Sequence, residues 1–218
     1  MTTQHRRARD FQRREAEILA AASGLFNSDA WQHVTIEQIA HAVEIGKGTI
    51  YKHFASKDEI YARLAIDFHL AALGELEQID GALPVLERLR EVLRLHWRRH
   101  CGTAEVQRVV QHCDRSDFRQ ALSAPTRARF EAVDAAFGEV LYGLLQEGVA
   151  RGLLPERPLH ALLFGVQATL FGAIRHGHRC RAQSADLSCA VVPGSDEQCE
   201  ETIDFIMAGL SCSMSVAA

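Results

Sequence analysis

The fold of the first part of this chain is decided by one segment, Thr35-Ile-Glu-Gln-Ile-Ala-His-Ala-Val-Glu-Ile-Gly-Lys-Gly-Thr-Ile-Tyr-Lys-His-Phe-Ala-Ser-Lys-Asp-Glu-Ile60. Thr35 is followed three residues later by Gln38, which is the spacing of a capping box at the start of a helix. Apolar residues then recur at helical spacing on one face, at Ile36, Ile39 and Ala40. The pattern halts around residues 43–45 and resumes at Gly46. The segment therefore predicts two short helices joined by a tight turn.

The second of these helices, roughly residues 46–53, carries polar groups that contact nucleic acid. It buries Ile50 and Phe54, so the remaining side chains face outward. A major groove admits one helix, whose first residues meet base edges while flanking groups bind phosphates. The predicted DNA-binding residues are Thr35, Lys47, Gly48, Thr49, Tyr51, Lys52, His53 and Lys57. The alternative is a solvated, charged face on a small helical hairpin.

Between Ile60 and Met207 the periodicity is almost entirely helical, without alternating apolar residues or hairpin turn signals. A second capping box over residues 56–59 opens a longer helix. Glycine and proline punctuation predicts helices near residues 57–79, 84–100, 103–113, 125–151, 158–178 and 196–212. Residues 181–195 are predicted to form a surface loop. The chain is therefore predicted to be all-α.

The quoted segment resembles the DNA-binding domain of TetR-family transcriptional regulators. The usual core of that family reads Ala-Gly-Val-Ser-Lys-Gly-Thr-Leu-Tyr-x-x-Phe-x-Ser-Lys-Glu, and this chain has Val43-Glu-Ile-Gly-Lys-Gly-Thr-Ile-Tyr-Lys-His-Phe-Ala-Ser-Lys-Asp58 over it. The specific similarity covers roughly residues 10–65. Two positions depart from the pattern. Glu44 stands where the family places a turn glycine, and Gly46 stands where a serine usually caps the recognition helix.

The resemblance implies two domains with different tasks. Residues 1–60 would form a helix-turn-helix DNA-binding domain, and residues 61–218 a helical ligand-binding and dimerisation domain. The last two long helices would build a four-helix dimer interface, so that two recognition helices read a palindromic double-stranded DNA operator. An unknown small-molecule effector would bind in a mainly apolar pocket. Its predicted lining residues are Phe68, Trp97, His100, His112, Phe130, Phe137 and Phe164. The resemblance therefore implies a homodimeric, ligand-responsive regulator that acts as a repressor.

Charge is unevenly distributed along the chain, although the formal net charge is −4. Residues 1–14 carry five arginines and one aspartate, and five minus one leaves +4. Residues 46–57 carry three lysines and no acid, which gives +3. This distribution suits a protein that binds DNA through one end. The arginine-rich start is either an arm that contacts the DNA backbone or minor groove, or a solvated tail.

Lys57 is expected to bind a phosphate, so its loss should flatten the salt dependence of DNA binding.

No stretch is long and apolar enough to predict a membrane span, and the arginine-rich start lacks the apolar run of a signal peptide. A cytoplasmic protein without a membrane partner is therefore expected.

Six cysteines and eleven histidines leave a second kind of regulator open. The local clusters are His100-Cys101, His112-Cys113 and His176-Gly-His178-Arg-Cys180, with Cys189 and Cys199 beyond and Cys212 near the end. Nitrogen and sulfur ligands suit zinc or copper, but no Cys-x-x-Cys occurs. A metal- or thiol-responsive regulator therefore stays an alternative, while no metal site and no cofactor is predicted. A small helical enzyme and a protein-binding module without DNA are further alternatives, although no catalytic motif is present.

Overall fold

A computed structural model describes residues 3–27, 30–101, 104–183 and 195–211. Within these ranges the chain forms helices and no strand, so the all-α prediction is confirmed. The helices are α1 (Thr3–Phe26), a short 3-10 helix (Trp31–His33), α2 (Ile36–Ala42), α3 (Lys47–His53), α4 (Lys57–Leu76), α5 (Val85–Cys101), α6 (Ala104–Cys113), α7 (Ser116–Ala121), α8 (Ala124–Ala150), α9 (Leu159–Gln183) and α10 (Asp196–Ser211). Among the described residues, no helix is long and apolar enough to cross a membrane.

The helices predicted from the sequence are observed with similar bounds, but α1 and the 3-10 helix were not predicted, and there are two further differences. The sequence pattern did not indicate α7, a helix of 6 residues whose only buried side chain is Phe118. One apolar contact in so short a helix leaves no periodic pattern to detect. In addition, α9 continues to Gln183, past the predicted end at residue 178. Most of the predicted surface loop, residues 184–194, lies outside the described residues.

The chain divides into two compact units. Unit 1 contains Met1–His69 and Thr103–Glu131, and unit 2 contains Leu70–Gly102 and Ala132–Ala218. Helices α6 and α7 and the start of α8 thus pack with the N-terminal residues, although they follow them at a distance in the sequence. A functional boundary at residue 60 stays a prediction.

Unit 1 has a core made of the apolar faces of its short helices. The fully buried side chains include Ile18 and Phe26 of α1, Ile39 of α2, Ile50 of α3 and Ile60 of α4. A helix as short as α3 is marginal in isolation, so its stability comes from packing rather than from its own hydrogen bonds. Each of these side chains contributes about 1.5–3 kcal/mol by leaving water. The core therefore holds α2 and α3 in place and leaves their polar residues outside.

Unit 2 is built around α5, α9 and α10, which pack on one another. Leu93 and Ile203 are fully buried within this core. Arg94 of α5 donates two hydrogen bonds to the Glu200 carboxylate of α10, at 2.6 and 2.7 Å. The fork of the guanidinium matches the two carboxylate oxygens, which fixes α10 against α5 in one register.

Candidate nucleic-acid interface

Helix α2 begins with the capping box predicted from the sequence. The backbone N–H of Gln38 donates to the Thr35 hydroxyl at 3.2 Å. In return, the backbone N–H of Thr35 donates to the side-chain oxygen Oε1 of Gln38 at 2.8 Å. This pair satisfies two backbone N–H groups that the helix itself leaves without partners. The Thr35 hydroxyl accepts here, and the same side chain also hydrogen-bonds the Glu37 carboxylate and, together with Lys47, helps to lower its pKa.

The turn between α2 and α3 contains one residue in a strained conformation. Glu44 has a φ of 53°, and it is the one non-glycine residue with positive φ among those that the structure describes. The turn is closed by the Ile45 amide, which donates to the Ala40 carbonyl at 3.0 Å. The left-handed region costs a residue with a side chain about 1–2 kcal/mol, and glycine avoids that cost. A glycine at this position, as in the pattern that the segment resembles, would make the same turn without this strain.

We expect Glu44→Gly to raise the free energy of unfolding by about 1 kcal/mol, since it removes this strain. Glu44→Ala is the matched control, because it removes the carboxylate and keeps the positive φ. Urea denaturation of the two variants and the unchanged protein measures the effect. If alanine stabilises as much as glycine, the charge of Glu44 and not its backbone is responsible.

Helix α3 presents a polar face that is open to solvent. Its N-cap, Gly46, is extended at φ −74° and ψ 148° and supplies no side-chain cap. Ile50 is fully buried, whereas the neighbouring Tyr51 side chain is 54% exposed. The residues that are exposed beside it are Lys47, Gly48 and Lys52, and Thr49 is half-buried. One face of α3 thus anchors the helix while the opposite face is free to enter a groove.

Lys47 is paired across the turn with α2. Its Nζ donates to Glu37 Oε1, and both side chains are exposed. This hydrogen bond lowers the pKa of the Glu37 carboxyl below its ordinary value and raises the pKa of Lys47 above its own. Exposed ion pairs contribute little to stability, so the pair can open without much cost. A phosphate bound by Lys47 would have to compete with Glu37.

His53 is placed differently from the prediction. Its side chain is only 7% exposed, and its ring lies on Phe11 of α1 with the ring centroids 4.0 Å apart. His53 follows Ile50 by three residues, which brings it to the inner side of α3. A basic residue near the end of a short helix suggests a phosphate contact, but this one packs against α1. His53 therefore positions α3 rather than extending its outer face.

Lys57 also differs from its prediction. Its Nζ donates to the backbone carbonyls of Gln32 and Val34, at 2.7 and 3.1 Å, and lies 5.4 Å from the ring centroid of Tyr61. These carbonyls belong to the 3-10 helix and the residue that follows it. Since the ammonium is already bound to two carbonyls, Lys57 holds the chain that leads into α2.

We expect Lys57→Met to lower the free energy of unfolding by about 1–2 kcal/mol, because the charged donor is lost and the aliphatic stem is kept. The salt dependence of DNA binding should stay unchanged. Lys52→Met is the contrasting variant: it should leave stability unchanged and reduce the salt slope by about 0.9 for each bound protomer. Denaturation and salt titration of operator binding test both. A reduced slope in Lys57→Met would restore the phosphate role predicted from the sequence.

The residues predicted to line a ligand pocket are divided between the two units. Phe68, His112 and Phe130 lie in unit 1, while Trp97, His100, Phe137 and Phe164 lie in unit 2. In unit 1 the His112 ring contacts the rings of Trp31, Tyr61 and Phe118, and Phe130 is fully buried. Within unit 1, His112 is thus a member of an aromatic core cluster.

The four unit 2 residues differ in burial. Trp97 is 3% exposed, and its Nε1 finds no acceptor among the described residues. His100 stacks on His96, which in turn meets the Phe137 ring edge-on. Phe164 is 73% exposed and lies on the surface of the protomer. A shared pocket for these residues stays a prediction, and the exposure of Phe164 points to a different use.

Part of the exposed surface of α9 and α10 is apolar. Phe164 and Phe171 of α9 are 73% and 43% exposed, and Phe205 of α10 is 70% exposed. Small residues lie between them on the exposed surface, at Gly165, Ala168, Gly172, Ala208 and Gly209. Large exposed aromatic residues beside small ones are typical of a surface that another protein covers.

The cysteines of the described residues offer no metal site. Cys101, Cys113 and Cys199 are buried free thiols, and no group of three potential ligands occurs in that part of the chain. Burial raises the pKa of the Cys199 thiol to about 12 and raises that of Cys113 still further. Such thiols are poor nucleophiles at neutral pH. Cys189, Cys212 and the side chain of Cys180 lie outside the described residues.

Glu59 has a role that the sequence did not indicate. Its carboxylate accepts a hydrogen bond from the Ser123 amide at 3.1 Å and another from the Thr126 hydroxyl. These groups stand at the N-terminus of α8, so a residue of α4 caps a helix that begins more than sixty positions later. Beside it lies a polar cavity of about 290 Å³, lined by Glu15, His53, Phe54, Ala55, Glu59, Arg63, Ile66, Ser123, Thr126 and Arg129. No sequence pattern signals a contact of such long range.

Comparison with known proteins gives a match for the helix-turn-helix region. Residues 18–64 match the family described as bacterial regulatory proteins, tetR family. The chain is 41% identical over 96 residues to the HTH-type transcriptional regulator TcmR of Streptomyces glaucescens, covering 39% of this chain and 42% of TcmR. It is 28% identical over 144 residues to the HTH-type transcriptional repressor KstR2 of Mycolicibacterium smegmatis, covering 64% and 66%. The matched parts span less than two thirds of the length of these relatives.

Solved structures extend the similarity to the whole fold. The chain resembles the TetR-family regulator PfmR of Thermus thermophilus, with a TM-score of 0.65 at 21% identity over 89% of this chain and 99% of that one. It also resembles FadR of Bacillus subtilis, solved with stearoyl-CoA, with a TM-score of 0.66 at 18% identity over 89% and 98%. At such identities the likeness shows the fold alone.

Proposed function

We propose that this chain, whose helix-turn-helix region belongs to the TetR family of bacterial regulatory proteins, is a transcriptional repressor that binds a palindromic operator. The observation that carries the proposal is α3, which is anchored by the buried Ile50 and exposes Tyr51 over half of its surface. Lys47 and Lys52 flank that face and would bind phosphates, while Thr49 and Gly48 allow close approach at the start of the helix. Tyr51 would donate to a phosphate and lay its ring against a thymine methyl.

A homodimer would supply the second recognition helix. One helix reads too few base pairs to specify a site in a genome, whereas two copies read half-sites in successive major grooves. The exposed apolar side of α9 and α10, with Phe164 and Phe205 at its centre, supports this assembly. Dimerisation would cover the aromatic residues that the single protomer leaves in water.

A small molecule would release the operator. Ligand can shift DNA affinity only by binding one conformation of the dimer more tightly than the other. Solved relatives with the same fold carry ligands as different as resorcinol in RolR and stearoyl-CoA in FadR of Bacillus subtilis. The effector of this chain is therefore left open, with Trp97 and its unpartnered indole N–H as the best-supported polar contact. The cytoplasm is the compartment in which such a repressor would act.

The other functions have less support. A metal- or thiol-responsive regulator would need exposed or clustered thiols, whereas the described cysteines are buried and burial raises the pKa of Cys113 and Cys199. A small helical enzyme is not favoured, because the matched family and relatives are DNA-binding regulators. A protein-binding module without DNA would leave the exposed face of α3 unused.

Selection of genomic DNA tests the proposal directly. The purified protein is mixed with fragments of its own genome at two salt concentrations, and the retained DNA is sequenced. We expect enrichment of a palindromic site whose half-sites lie about one or two helical turns apart. Retention of DNA without any enriched site would contradict an operator-specific repressor, and absence of retention would contradict DNA binding altogether.

A further inference from the structure

Helix α1 extends far beyond the core that it helps to build. It begins at Thr3, whereas the match to the family begins at residue 18. Ile18 is also the first buried side chain of α1 among the residues whose burial is described. The residues before it therefore add about four helical turns in which no described side chain is buried. We call residues 3–14 the α1 extension.

The α1 extension is strongly basic. It carries Arg6, Arg7, Arg9, Arg13 and Arg14 against Asp10, and five minus one leaves +4. The guanidinium group of Arg13 forms ion pairs with Asp10 Oδ1 at 3.9 Å and with Glu17 Oε1 at 3.7 Å. The guanidinium group of Arg14 pairs with Glu17 Oε2 at 2.7 Å. Neither Arg6 nor Arg7 has an acidic side chain within ion-pair distance among the described residues, and both are exposed. These two guanidinium groups are therefore accessible to a negatively charged partner outside the protomer.

The packing of α1 places this charge beside the recognition helix. Phe11 lies on the ring of His53, the last residue of α3, and Glu15 Oε1 is 3.9 Å from His53 Nδ1. Arg7 precedes Phe11 by four residues and therefore lies on the same side of α1. With a rise of 1.5 Å per residue, Arg7 stands about 6 Å further along the helix axis. The contact between Phe11 and His53 thus places the extension beside the last residue of α3.

We infer that the α1 extension is a second DNA-contacting surface, which binds phosphates next to the major groove that α3 enters. The inference rests on the proposed operator binding. Arg6 and Arg7 act as phosphate ligands, held in place by the contact between Phe11 and His53. Because Arg6 and Arg7 belong to a helix, they contact the phosphates of the DNA backbone, whereas an extended arm would enter the minor groove.

The composition of the extension favours DNA over an anionic membrane. A helix that lies on a membrane needs an apolar face along its length. Phe11 is the one large apolar side chain in the α1 extension, and although 46% of it is exposed, its ring lies on His53. The surface therefore offers charge without an apolar stripe, which matches a phosphate backbone.

Salt titration of operator binding tests the inference. Arg6→Gln with Arg7→Gln keeps helix-forming residues and removes two charges, so the slope of log K against log salt should fall by about 1.8 for each bound protomer. Arg98→Gln with Arg151→Gln removes the same charge from exposed positions of unit 2 and should leave the slope nearly unchanged. Equal slopes for the unchanged protein and the Arg6 and Arg7 double variant would overturn the inference while leaving operator binding intact. Failure of the unchanged protein to bind any operator would instead overturn both.

Ala8→Pro tests the helical form of the contact. This variant keeps all five arginines but interrupts the backbone hydrogen bonds of α1 beyond the core. Thermal melting should stay unchanged, because no side chain near residue 8 is buried. We expect its operator affinity and salt slope to fall toward those of the Arg6 and Arg7 double variant. Binding equal to that of the unchanged protein would show that the arginines act from a flexible arm, which overturns the helical contact.

Discussion

Replacing Phe164 and Phe205 with aspartate is expected to turn the dimer into a monomer and to lower operator affinity by about 100-fold or more. Both side chains are at least 70% exposed in the protomer, so the changes should not disturb its core. In a dimer they would place charges in an apolar interface, where an unpaired carboxylate is strongly disfavoured. Sedimentation velocity measures the mass of the protein, and titration with the selected operator measures the affinity.

Leu153→Asp is the control for that double variant. Leu153 follows α8 and is 47% exposed, so the substitution introduces the same charge at an apolar surface position outside α9 and α10. This variant should sediment as a dimer and bind the operator normally. A Phe164 and Phe205 double variant that still sediments as a dimer would refute the proposed interface.

Tyr51→Ala is expected to weaken operator binding by at least about 30-fold without changing the melting temperature. A residue that contacts bases or phosphates contributes about 1–3 kcal/mol, and a dimer loses two copies of it. Because Tyr51 is 54% exposed and its neighbour Ile50 carries the packing of α3, the fold should not be affected. Fluorescence anisotropy with the selected operator, together with thermal melting, measures both quantities.

Two further variants make the result specific. Tyr142→Ala removes a tyrosine of α8 that is 41% exposed, and it should bind the operator as the unchanged protein does. Tyr51→Phe keeps the ring and loses the hydroxyl, so it separates the contact with the thymine methyl from the phosphate contact. Equal operator affinity in Tyr51→Ala and the unchanged protein would exclude the docking of α3 proposed above.

Local sequence patterns predicted most of the fold. The capping box at Thr35 and the apolar spacing after it identify α2, because a helix start depends on residues only three positions apart. Glu44 stands where the resembling pattern has a turn glycine, and its observed φ of 53° explains why glycine suits that position. The outward face of α3 followed from the burial of Ile50 at helical spacing.

Charge type was a poorer guide to the role of a side chain. Lys57 and His53 are basic residues near a recognition helix, which favoured a contact with phosphate. Lys57 instead donates to carbonyls from residues 32 and 34, and His53 packs on Phe11 of α1. A basic residue is equally suited to a phosphate and to a carbonyl, so only its surroundings decide between them.

The sequence alone determined most of the helices after residue 35, the turn before α3, and which short helix exposes a polar face. These properties depend on residues within one or two turns of each other, and their spacing can be read directly. The tertiary structure alone decided that Glu59 caps α8, that Lys57 donates to backbone carbonyls, and that Phe11 of α1 packs on His53 of α3. Such contacts join residues far apart in the chain, and their partners are chosen by packing geometry rather than by any local pattern.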